Sequence, residues 1–138
     1  MPENNLSSTP PAPPPSTLIM IVDDEWMNRE MMEAALQSAG YWVICASSKD
    51  TALQLAMERH PDLALVDVRL RTWDDGYELC RALKANPATA PTRVVMITAL
   101  DSDEARQKAF EAGANDFIAR SMDIPRFLNY IERFLKDN

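Results

Sequence analysis

Glycine, cysteine and histidine are scarce in this chain of 138 residues, which holds three, two and one of them. No Gly-rich loop follows any predicted strand, so nothing resembles a nucleotide cradle. Cys45 and Cys80 lack a CxxC spacing and read as free, half-buried thiols rather than a disulfide or metal pair. The lone histidine, His60, precedes Pro61 at a helix-to-strand turn and reads as a solvated surface residue. No apolar run approaches the ~18 residues a membrane span needs. The N-terminus lacks the charged region and apolar core of a secretory signal, so the expected location is the cytoplasm. Positive charge is also in deficit, with 14 Lys and Arg against 21 Asp and Glu, a net charge of −7. Glu3 is the only charge in the first seventeen residues, which leaves −6 on the remainder. An acidic domain repels phosphate backbones, which argues against direct nucleic-acid binding. It suits a chain that binds a divalent cation or a basic partner surface.

Proline is abundant at one end only. Residues 1–17 hold six of the ten prolines and one sizeable apolar side chain, Leu6. Such a stretch cannot bury enough surface to offset its ordering entropy, so a disordered or polyproline-like tail or linker is expected. The rest, 18–138, is long enough for one domain.

From Leu18 onward short apolar runs alternate with amphipathic stretches. Strands are expected at Leu18–Val22, Tyr41–Ala46, Leu63–Asp67, Arg93–Thr98 and Asp116–Ala119. Between the first two, Met27, Met31, Ala34 or Ala35 and Ala39 recur at helical spacing before Gly40, and the methionines read as core filler. Ser47 or Ser48 caps a second helix to about Arg59, with Leu53, Ala56 and Met57 inward. A third runs from Gly76 to about Ala85 with Leu79, Cys80 and Leu83 inward. Asp101 or Ser102 caps a fourth, to Ala112, and Asp123 caps the last. There Ile124, Phe127 or Leu128, Ile131, and Phe134 or Leu135 mark the buried stripe. Five strands alternating with five helices imply an α/β fold, a parallel sheet with right-handed crossovers and helices on both faces. A flavodoxin-like strand order, 2-1-3-4-5, is one common solution at this size.

Leu63-Ala64-Leu65-Val66-Asp67 is the central run, four apolar residues ending on a carboxylate that cannot be buried unpaired without a large cost. At the strand's C-terminal end Asp67 faces the crevice where such sheets bind ligands. Asp23-Asp24 ends the first strand, Thr98 the fourth, and Arg120 follows the fifth. Taken alone, Asp24 or Glu25 also fits a solvated helix N-cap. With the first strand beside the third, at least three carboxylates converge and repel. A hard cation resolves this, and Mg²⁺ takes two carboxylates and a carbonyl in its oxygen shell. A carboxylate, a metal, a hydroxyl and a fixed cation together make a phosphoryl site. In such a site Asp67 can attack in line, Thr98 can donate a hydrogen bond, and the metal and Arg120 can neutralise the equatorial oxygens.

The motifs Ile21-Val22-Asp23-Asp24-Glu25, Pro61-Asp62-Leu63-Ala64-Leu65-Val66-Asp67, Met96-Ile97-Thr98-Ala99 and Gly113-Ala114-Asn115-Asp116-Phe117, in this order and spacing, resemble the receiver domains of two-component response regulators. The resemblance covers 18 to about 135. It implies that Asp67 is the phosphoacceptor and that Asp23 and Asp24 hold Mg²⁺, helped by the backbone carbonyl of Arg69. It implies too that Thr98 is the hydroxyl that moves to meet the phosphoryl group and that Ala99 leaves room for it. Phe117 occupies the place of the switch aromatic, with plain core packing as its other reading. The implied donors are a histidine kinase or histidine phosphotransfer protein. The implied output face, toward an effector or a second copy, is the fourth helix, fifth strand and fifth helix. Such a chain accepts a phosphoryl group rather than acting as an enzyme, and can lose it by self-dephosphorylation. No DNA-binding or catalytic output domain is expected within it.

Three features depart from the family pattern. Arg120-Ser121 stands where the family has Lys-Pro, and a trans bond is expected, because a cis bond before serine costs about 3–4 kcal/mol. Arg71 replaces a proline four residues after Asp67, and Gly76 comes one residue later than the family places it. They motivate a competing reading, a degenerate receiver that binds partners without phosphorylation. An Asp-nucleophile phosphatase needs a second acid two residues after the nucleophile, where Arg69 stands. A flavin carrier needs a turn rich in Ser, Thr and Gly after the first strand, and this one is acidic.

Overall fold

Five apolar runs pair side by side into one parallel sheet in the computed structural model, which describes residues 17–70, 75–99, 102–120 and 122–137. The strands are β1 (Leu18–Val22), β2 (Trp42–Ala46), β3 (Leu63–Asp67), β4 (Arg93–Thr98) and β5 (Asp116–Ala119). Their order is β2-β1-β3-β4-β5, so the expected 2-1-3-4-5 arrangement is the one observed. The central strand β3 is buried along its whole length, as a run without polar alternation requires. The register sets Val22 beside Val66 and Asp67 beside Ile97. The polar residues that end β1, β3 and β4 therefore share one rim.

Alternation along the strands divides the core in two. Met20, Val22, Ala64, Val66, Val94, Met96 and Phe117 face helices α2 (Lys49–Arg59), α3 (Asp75–Ala85) and α4 (Asp103–Glu111). Ile19, Ile21, Leu63, Leu65, Val95, Ile97 and Ile118 face α1 (Trp26–Ser38) and α5 (Ile124–Lys136). Helix starts follow the expected capping chemistry. Ser48 accepts from the Thr51 N–H, Ser102 from Ala105 and Asp123 from Arg126. α2 ends on exposed His60 in the left-handed region (φ 50°), and Gly113 turns the chain after α4 at φ 96°. Cys45 and Cys80 are free, and burial pushes both thiols up to about 11, so they stay protonated near neutrality.

Three helix faces differ from the expected ones. In α1 the sheet takes Ala35 and Leu36, with Met32 packed beside them, while Met27 and Met31 are 65% and 57% exposed and Ala34 and Ala39 lie outside. The methionines are thus not core filler. In α2 the sheet takes Ala52 and Ala56, and Met57 is exposed. Ile124 is exposed at the start of α5, where Phe127 and Ile131 carry the packing. The reason is common to all three: periodicity says which residues share a stripe, whereas the helix's approach to the sheet selects among neighbouring stripes. The expected tail up to residue 16, Arg71, Trp73, the alternative cap Asp101 and the Arg120–Ser121 bond lie outside the described residues.

Candidate functional site at the carboxyl rim of the sheet

Parallel strands that end together present their last side chains to one crevice. Asp23 follows β1, and its N–H donates to Ala46 O at 3.1 Å, which ties the start of the acidic loop to β2. Its Oδ1 accepts the Glu25 N–H at 2.9 Å, and its carbonyl accepts Arg29 Nη1 at 2.8 Å. Asp23 is 2% exposed and Asp67 6%, whereas Asp24 is exposed. Asp67 Oδ1 accepts the Arg69 N–H at 3.1 Å. One carboxylate oxygen each from Asp23, Asp24 and Asp67 lies within 4.8 Å of the others.

Arg120 answers these charges from just past β5. Its N–H donates to Thr98 O at 2.8 Å, joining the ends of β4 and β5. Its Nη2 lies 2.7 Å from Asp67 Oδ2 and 3.6 Å from Asp23 Oδ2. One guanidinium thus spans two buried acids, and the neutralisation is incomplete. Burial pushes the Asp23 carboxyl up to about 6, the neighbouring Asp67 charge adds to the rise, and the Glu25 N–H and Arg120 oppose it. A buried acid at that value is one that a further cation would hold ionised. Three oxygen donors within 4.8 Å suit a hard divalent ion such as Mg²⁺.

A cavity of about 590 Å³ opens over this cluster, and Asp24, Asp67, Arg69, Thr98, Ala99 and Arg120 all line it. Of the candidate site residues, only Asp23 and Phe117 do not line this cavity. Asp23 lies one layer back, against a smaller cavity of about 70 Å³ that Asn28 and Arg120 also line. Phe117 is buried in the core beneath α4.

Sequence reasoning missed residues that shape the same crevice. Tyr77, Ala105 and Lys108 line its far side, and the Tyr77 hydroxyl donates to Ala105 O at 3.3 Å. Gly76 presses against the end of β3. Its N–H donates to Val68 O at 3.1 Å, and a Cβ there would sit 2.2 Å from Asp67 O. A signal for Tyr77 was present in its spacing to Cys80, one turn on along the inward stripe of α3. Nothing in the sequence marks Lys108.

The comparisons with known proteins agree with this geometry. Residues 19–132 match the response regulator receiver domain family. The response regulator PleD of Caulobacter vibrioides is 40% identical over 101 residues, which is 73% of this chain and 22% of that protein. The polar-differentiation response regulator DivK of Brucella ovis is 30% identical over 115 residues, 83% of this chain and 93% of that one. The crystal structure of a response regulator from Chloroflexus aurantiacus superposes with a TM-score of 0.80 at 35% identity, covering 87% of this chain and 98% of the other. The matched segment is thus about a fifth of PleD and nearly all of DivK. No helix among the described residues is long and apolar enough to cross a membrane. With the strand order, the acid cluster and the family match in agreement, the chain belongs to the response regulator receiver domains of two-component signalling.

Proposed function

We propose that this receiver accepts a phosphoryl group on Asp67 from a histidine kinase or histidine phosphotransfer protein, in the presence of Mg²⁺. The observation that carries the reading is the single guanidinium bridging Asp67 and Asp23 within a cluster of three acids at the mouth of an open cavity. Asp23, Asp24, Asp67 and the Arg69 carbonyl would hold the ion, which when bound supplies positive charge to the oxygens of the transferring group. Asp67 Oδ1 accepts the Arg69 N–H and Oδ2 meets the Arg120 guanidinium, and the attack is assigned to Oδ2, the oxygen that already faces the cation. As the donor's P–N bond breaks, Oδ2 forms the P–O bond and the leaving imidazole takes a proton from solvent. Arg120, already on Oδ2, is placed to follow the charge onto the phosphoryl oxygens. Thr98 donates from the neighbouring strand, and Ala99 leaves the space beside it.

An apolar rim supports a protein donor. Trp26 and Met27 follow the acidic loop, Met31 and Ile124 line the small cavity with Asp23, and all four are exposed; exposed apolar side chains of this kind mark a docking surface. Output passes through Thr98 and Phe117 to the face formed by α4, β5 and α5, which an effector or a second copy would read. No geometric observation favours the degenerate reading. The test is incubation with Mg²⁺ and acetyl phosphate followed by intact-mass measurement. A single phosphoryl adduct is expected on the wild type and none on Asp67→Ala. An unmodified wild type, or an equal adduct on the variant, sinks the proposal.

A further inference from the structure

Phe117 and Thr98 are close neighbours on one face of the sheet. Phe117 pairs with Met96 and Ala119 with Thr98 across β4 and β5. Because side chains alternate, Thr98 and Phe117 stand diagonally on the same side, the side that α4 covers. The helix sits lightly there. Ala109 is its one buried residue, and Phe110 points outward. Its polar contacts with neighbouring elements include two. One is the Tyr77 hydroxyl on Ala105 O at 3.3 Å. The other is Arg106, whose Cζ lies 5.0 Å from the centroid of the Phe117 ring, within cation–π range.

We infer that Arg106 is a positioning residue for phosphoryl acceptance, acting through Phe117 on Thr98. The inference rests on the reading of Asp67 as the acceptor. The Phe117 ring is 4% exposed and occupies the space diagonal to Thr98 on that face, and Thr98 itself lines the cavity over Asp67. An outward swing of the ring would open that space and let Thr98 turn away. The same swing would carry the ring from beneath the guanidinium. A contact made in one of two states shifts their balance by its whole strength, so Arg106 favours the arrangement with Thr98 at the site.

The test uses beryllium fluoride with Mg²⁺ as a phosphoryl mimic on the full chain, read by titration, and fluorine NMR of fluorophenylalanine-labelled protein, in which Phe117→Leu identifies the ring signal. Arg106→Met and Arg106→Ala are expected to weaken beryllofluoride binding about two- to fivefold and to move the Phe117 signal toward its solvent-exposed position. Arg106→Lys keeps a cation and is expected to retain both the affinity and the signal. In a Phe117→Leu background, Arg106→Met is expected to add nothing. A purely structural role would lower thermal stability while leaving affinity and ring signal in place, which overturns the inference. So does an equal loss of affinity with and without the ring, and in both cases Asp67 stands as acceptor. A wild type that takes neither beryllofluoride nor an acetyl phosphate adduct overturns the acceptor reading, and the inference with it.

Discussion

Arg120 Nη2 sits 2.7 Å from Asp67 Oδ2, so the cation that follows β5 is held by the carboxylate that ends β3, two strands away. The same group reaches Asp23 at 3.6 Å. If Asp67 is the phosphoacceptor, a guanidinium in this position would both stabilise developing phosphoryl charge and compete with a metal for the acids. Arg120→Gln is therefore expected to slow adduct formation from acetyl phosphate by at least ~10-fold while tightening Mg²⁺ binding. Arg120→Lys keeps the charge without the planar fork and should fall between. Mass time courses and Mg²⁺ titration of Trp fluorescence measure the two effects. Weaker Mg²⁺ binding in Arg120→Gln would contradict the competition.

The buried Asp23 carboxyl makes stability and metal binding depend on pH in opposite senses. Its value in the fold, about 6, lies above the ordinary 3.8, so the fold favours the neutral acid. That contribution is complete below the unfolded value and is lost as pH rises through about 6, by up to ~3 kcal/mol. Mg²⁺ needs the ionised form, so its apparent affinity should climb through the same window and level off above it. Thermal melts of the wild type and Asp23→Asn in Mg²⁺-free buffer give the test as a difference between the two. A wild type whose stability rises relative to Asp23→Asn between about pH 4 and 7 would reverse the sign.

Gly76 and Gly113 are expected to respond differently to alanine. At Gly76 a Cβ meets backbone of β3 and its continuation, 2.2 Å from Asp67 O, 2.5 Å from Val68 O and 2.7 Å from Val68 Cα. The strand end must shift, so Gly76→Ala should cost about 3 kcal/mol or more and slow phosphorylation. At Gly113 the nearest atom is the flexible Lys84 Cγ at 3.1 Å, and the penalty is the left-handed φ of 96°. Gly113→Ala should cost about 1–2 kcal/mol and leave the adduct rate unchanged. Urea unfolding and mass time courses separate them.

Trp26 and Met27 are exposed just after the acidic loop and do not line the cavity over Asp67. If the apolar rim docks a protein donor, Trp26→Ala with Met27→Ala should slow transfer from a phosphorylated histidine protein by ~10-fold or more, about the loss of one or two interface anchors. Labelling by acetyl phosphate, which needs no docking surface, should be unchanged. Equal rates with the protein donor would remove the rim from the reading.

The amino-acid sequence by itself determined the elements and the chemistry at their ends. Short apolar runs such as Leu63–Val66 and Val94–Ile97, set between capped amphipathic stretches, can satisfy their backbone only as buried parallel strands. The polar residues that close those runs, Asp23, Asp67 and Thr98, then fall at one rim whatever the details of packing. Only the tertiary structure decided which stripe each helix buries and which distant side chains meet. Met27 and Met31 share a stripe as regular as that of Met32 and Leu36, and the choice between them depended on how α1 crosses the sheet. The contacts of Gly76 with Asp67, Tyr77 with Ala105 and Arg106 with Phe117 join residues from separate elements. Local pattern carries no information about such pairs, because their distances are set by strand order, register and helix tilt together.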